Sequence, residues 1–164
     1  MLKFFLGIAI VAFTSFCGYL LAKKYRQRKE FFSQFKEFNE RFLSEISYYR
    51  RPIREFASRY AYKGEFHTLL EDFFRSLTSR SADARSFTDF PTYGFLTTEE
   101  KKVVEDYFLM LGKGDSGSQK GYFSAVKEPL NKLQTESETA CKKYGDLYVK
   151  IGFLCGLLIL ILIV

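Results

Sequence analysis

FFSQFKEFNERFLSEI, residues 31–46, decides the fold. Phe31, Phe35, Phe38, Phe42 and Ile46 recur at steps of four or three, and the series continues through Tyr49, Ile53, Phe56 and Tyr60. Side chains at that spacing share one face of a helix with 3.6 residues per turn, whereas a half-buried strand would alternate. The stretch is therefore a helical stripe. Pro52 interrupts it, because proline suits a first helical turn and disfavours helix in the residue before it, so a break is expected near Arg51. Lys63-Gly64 then ends the second piece.

Toward the C-terminus the same periodicity predicts more helices and no strand. Phe66, Leu69, Leu70, Phe73, Phe74 and Leu77 mark a third helix over about 66–78, and a shorter one is expected between 82 and 90, before Pro91 and Gly94. Thr97 and Glu100 form a T-x-x-E capping box that opens a helix ending at Gly112, a residue suited to a left-handed C-terminal cap. Ser116 and Gln119 form a second box, S-x-x-Q, and Asp115 is an alternative cap whose charge suits the positive end of the next helix. From there the seam reads Tyr122, Val126, Leu130, Leu133, Ser137, Ala140, Tyr144 and Leu147, arriving in phase at Ile151. That phase predicts one helix running onward into the C-terminal apolar block, with Pro129 as its kink.

The chain has 164 residues, 47% apolar and 18% aromatic, enough for one domain with a substantial core. Its apolar residues are concentrated at the ends: residues 4–22 and 151–164 contain no charged side chain. Nineteen helical residues reach about 28 Å, close to the hydrocarbon thickness of a bilayer. A secretory signal would need small residues at its cleavage site, which Leu20-Leu21-Ala22 does not supply, and bulky Phe16 before Cys17 argues against a lipoprotein signal. The second block reaches about 21 Å, so Tyr148 and Val149 are expected to join the span while Lys150 snorkels to the headgroups. It offers no polar face on which to lie flat. The expected organisation is a transmembrane helix over 1–22, an antiparallel all-α bundle over 23–150, and a second transmembrane helix over 151–164 beginning near 148.

Charge sets the orientation. Lys23, Lys24, Arg26, Arg28 and Lys29 follow the first span, and Lys142, Lys143 and Lys150 precede the second, whereas the opposite ends offer only Lys3 and the terminal amine. The positive-inside rule puts 23–150 in the cytoplasm and makes these cations membrane anchors. Since much of the basic excess flanks the membrane, a nucleic-acid partner is not expected. Within the spans, Thr14 and Gly18 match Gly152 and Gly156 as small-xxx-small faces that let helix backbones approach, within one molecule or between copies in a homo-oligomer.

LGKGDSGSQK, residues 111–120, imitates a phosphate loop without meeting its requirements. Tyr107 stands where a P-loop needs its first glycine, and Gly114 rather than Ser or Thr follows Lys113. It reads instead as a helix corner, where Gly112, Lys113, Asp115 and Gln119, together with Glu45, are candidate partner contacts. His67 is the only histidine, so a Ser-His or Cys-His pair would rest on it alone. Glu45, Glu71, Asp72, Glu99 and Glu100 read as solvated helix charges that nothing in the sequence brings together. The cysteines form no C-x-x-C pair, and Cys17 and Cys155 lie inside the apolar blocks. Neither an enzyme, a metal site nor a cofactor is expected. A sensor would need a ligand-binding segment across the membrane, where this topology leaves only a few residues.

The chain resembles the stage III sporulation protein AB family of endospore-forming bacteria over nearly its whole length. The resemblance rests on Met1-Leu2-Lys3 with its apolar run, Glu45-Ile46, Tyr48, Pro52-Ile53, Ala57, Leu111-Gly112, Asp115, Gln119, Gly152-Phe153-Leu154 and Gly156-Leu157-Leu158. It implies a component of the secretion-like channel complex joining mother cell and forespore, in the mother-cell membrane around the forespore. The central part is similar to the helical domain of F-type platform proteins of type II secretion and type IV pilus machines. By that analogy it would dock a cytoplasmic secretion-type ATPase, stage III sporulation protein AA, to the other membrane subunits of the complex.

Overall fold

The computed structural model describes residues 2–48, 55–56, 59–78, 93–112 and 116–163. Helix α1 runs Leu2–Tyr48, α2 Gly64–Thr78, α3 Thr98–Gly112 and α4 Ser116–Ala140; a π-helical turn, Cys141–Gly145, then leads into α5, Asp146–Ile163. The described residues contain no strand. The expected break near Arg51, the short helix over 82–90, and Lys113 and Asp115 lie outside them. Two compact units result: Glu30–Gln134, and Met1–Lys29 with Thr135–Val164.

The phenylalanine stripe of α1 forms the heart of the first unit. Phe31, Phe35 and Phe38 are at most 1% exposed and Phe42 is 5% exposed, while Phe32 joins them and widens the buried arc beyond the stripe. Phe66, Leu69, Leu70 and Phe73 arrive from α2, Val104, Tyr107, Phe108 and Leu111 from α3, and Phe123 and Leu130 from α4. Each such side chain contributes about 1.5–3 kcal/mol on leaving water, and the rings add edge-to-face geometry. Phe35 meets Tyr107 with centroids 4.7 Å apart, Tyr107 meets Phe123 at 4.8 Å, and Phe42 meets Phe123 at 5.0 Å.

Local signals set the helix ends. The Thr97 N–H donates to the Glu100 carboxylate at 2.8 Å and the Glu100 N–H donates to the Thr97 hydroxyl at 3.3 Å, closing the capping box that opens α3. Gly64 begins α2 with φ 61°, a left-handed conformation that favours glycine. Next to it, the Lys63 N–H donates to Gln34 Oε1 at 3.2 Å.

The C-terminal helix departs from the phase its sequence predicts. Pro129 is exposed and lies inside α4, whereas the helical irregularity comes twelve residues later, at Cys141–Gly145. Leu147 and Ile151, expected on the seam, are 44% and 45% exposed. Buried Gly145 and half-buried Tyr148 and Gly152 take the inward positions instead. Among the described residues, two helices are long and apolar enough to cross a membrane, the first containing residues 7–46 and the second 119–162.

Candidate functional site

Within the unit formed by Met1–Lys29 and Thr135–Val164, α1 and α5 lie antiparallel with their backbones close together. A Cβ on Gly18 would lie 2.6 Å from the Tyr148 carbonyl oxygen and 3.3 Å from the Gly152 Cα. A Cβ on Gly152 would lie 2.7 Å from the Thr14 carbonyl oxygen, and one on Gly156 would lie 2.9 Å from the Val11 Cα and press on the Thr14 hydroxyl. No side chain fits such gaps. Thr14 keeps its hydroxyl satisfied by donating within its own helix, to the Ile10 and Val11 carbonyls at 3.0 and 3.1 Å. The seam is longer than its sequence motifs suggest: Gly7 faces the Leu160 side chain, and Ala22 is fully buried. Gly7 was legible in principle, since it lies on the face of Val11, Thr14 and Gly18. Cys17 and Cys155 flank the seam, and both are exposed.

Where the helices leave the apolar region, three tyrosines close the pair. The Tyr25 ring lies 5.5 Å from that of Tyr144 and 5.8 Å from that of Tyr148. Its hydrogen bond with Tyr148, followed by burial, holds the Tyr25 phenol above its usual pKa. Amphipathic rings at this level suit a membrane–water boundary. The cations form a band around them: Lys23, Lys24, Arg26, Lys142, Lys143 and Lys150 are exposed and Arg28 is half-buried. Arg26 lies 5.8 Å over the Tyr19 ring and Lys143 lies 5.2 Å over the Tyr144 ring. Lys142 pairs with Glu138 at 3.0 Å and lowers the Glu138 pKa through that hydrogen bond.

In the bundle, α3 ends at Gly112 and α4 begins at Ser116. Gln119, expected to be exposed, is 9% exposed, and its amide donates to the Met110 carbonyl at 3.5 Å. That bond reaches from α4 back to the last turn of α3, whose carbonyls lack helical partners. Glu45 is also buried, at 5% exposure. Both side chains thus belong to the packed interior.

One buried polar group that joins three helices is one the sequence reading missed. Asn39, 1% exposed, donates to the Phe123 carbonyl at 3.2 Å and accepts from the Tyr107 hydroxyl at 3.0 Å, so one amide ties α1 to α3 and α4. Burial raises the Tyr107 pKa well above its ordinary value and keeps its proton available for that bond. The signal was position, since Asn39 directly follows Phe38 beside the stripe. Nearby, Tyr62 is pushed up to about 12 by burial, partly offset by Arg41, which also lies 4.4 Å over the Tyr60 ring.

The acid–base candidates do not converge among the described residues. His67 pairs with Glu71 at 3.7 Å across one exposed turn, and Asp72 pairs with Arg75 at 3.5 Å in the same way. Glu100 serves the α3 cap, and Glu99 is exposed. An apolar cleft lined by Phe31, Leu69, Tyr93, Leu96, Lys101 and Val104 includes neither His67 nor a carboxylate. The described residues hold no group of three or more His, Cys, Asp or Glu placed to bind a metal. Comparison with the curated proteins and with the solved structures gives no significant match. The family model of stage III sporulation protein AB matches residues 3–164, and the chain belongs to that family.

Proposed function

We propose that this chain is a non-enzymatic membrane platform of the channel complex between mother cell and forespore. It docks a cytoplasmic secretion-type ATPase, stage III sporulation protein AA, to the membrane subunits. The observation that carries this reading is a helical bundle entered and left through one closely packed pair of apolar helices, in a chain of a sporulation family. Such a unit holds a domain at a membrane surface from both ends. The cation band at the end of the helix pair that carries the tyrosines supports a cytoplasmic bundle, and the mother-cell membrane around the forespore is the location that fits this family. The docking face is proposed to include the corner after Gly112, with Lys113 and Asp115. Gln119 ties α4 back to the last turn of α3 beside it.

The full-length protein, solubilised in detergent, is expected to co-purify with the ATPase. Absence of association when both proteins are folded would overturn the platform reading. Lys113→Ala should weaken that association while leaving the thermal unfolding of the bundle unchanged.

A further inference from the structure

Ser137 and Gly156 both face inward, with Ser137 1% exposed and Gly156 buried. Nineteen residues separate them, whereas five turns of α-helix take up eighteen. One surplus residue rotates a helix by about 100°, which would put Cys155 inward in place of Gly156. The same offset recurs along the way. Gly152 lies fifteen residues beyond Ser137, where an unbroken helix would bring in Ile151, about fourteen residues on. Exposure follows the shifted phase beyond the turn, with Ile151 45% exposed, Cys155 exposed and Gly156 buried.

The π-helical turn Cys141–Gly145 lies between these two phases. Its i→i+5 bonding takes up one residue more per turn than α-helix, which equals the observed surplus. Its partner α1 has no such turn, and the inward positions of α1 (Gly7, Thr14, Gly18 and Ala22) keep a single helical phase. We infer that the π turn is a built-in register adjuster: it absorbs one residue so that Gly152 and Gly156, rather than Ile151 and Cys155, meet α1. Branched Ile151 on the seam could not approach as Gly152 does, with its Cα 3.3 Å from where a Cβ on Gly18 would stand. An extra residue that looks like a defect is what makes the close approach possible.

Shortening this helix by one residue should therefore preserve the seam, and lengthening it should destroy the seam. The full chain, with all three cysteines changed to serine, would carry Tyr25→Cys and Tyr148→Cys, positions whose rings lie 5.8 Å apart. A short thiol cross-linker is applied in membranes, and the linked peptide is read by mass spectrometry. Deleting Lys143 lets the turn close into regular α-helix with α5 unrotated, so cross-linking should be undiminished. Inserting one alanine after Lys143 should abolish it. Loss of the cross-link on deletion, or its retention on insertion, overturns the inference. Deletion of Lys142 is the second variant; failure of both deletion chains to accumulate in membranes that hold the parent overturns it as well, since a preserved seam should preserve the protein.

Discussion

Asn39 joins three helices of the bundle through a single buried amide. Its amide meets two helices at once, so removing it strands a buried hydroxyl on Tyr107 and leaves the Phe123 carbonyl without its cross-helix donor. A buried group deprived of its partner costs more than the bond itself was worth. Asn39→Leu should therefore destabilise the bundle by about 2–3 kcal/mol, and Tyr107→Phe, which strands only an acceptor, by about 1–2 kcal/mol. Urea denaturation of the full chain in detergent checks both values. The double variant should lose less than the two single losses combined, because each change removes the same interaction. Additive losses would mean that the two groups stabilise the fold independently. Asn39 also shows how a residue can escape a sequence reading: periodicity identifies faces, but not which polar neighbour of a stripe finds partners on distant helices.

Among elements, the seam of α1 and α5 ranks its own glycines. At Gly18 and Gly152 an added Cβ would meet backbone within 3 Å, which cannot yield without parting the helices, whereas at Gly7 it would meet the flexible end of Leu160. Alanine at Gly18 or Gly152 should cost the helix pair about 1–3 kcal/mol, the usual penalty for overpacking. Gly7→Ala should cost clearly less. Gly121, on the exposed side of α4, meets nothing within 4 Å, and Gly121→Ala should stabilise the chain by about 0.5–1 kcal/mol through helix propensity. Thermal unfolding in detergent orders all four. The helices around residues 31–46, 66–78 and 98–112 were legible in the sequence because apolar spacing, capping boxes and glycine all agreed there. The phase of α5 was not, because a π turn inserts one residue without marking it by proline or by a break in the apolar pattern. The burial of Gln119 and Glu45 was hidden for a different reason: both are polar, and only the packing of separate helices encloses them.

For the whole molecule, orientation is the property on which the proposed function depends. If the cation band lies on the cytoplasmic side, a reporter that works only in the cytoplasm gives no signal when fused after Val164 and gives signal when inserted between Lys113 and Gly114, in the helix corner. The reverse pattern would remove the bundle from any cytoplasmic ATPase. The two units also answer temperature differently, and this follows from what each one buries. Unfolding the phenylalanine core hydrates a large aromatic surface, so it carries a large positive heat-capacity change and a domed stability curve that weakens on cooling. Parting the glycine seam inside a bilayer exposes backbone and small side chains to lipid instead of water, so that term nearly vanishes. Cooling therefore loosens the aromatic bundle while leaving the grip of the two apolar helices almost unchanged.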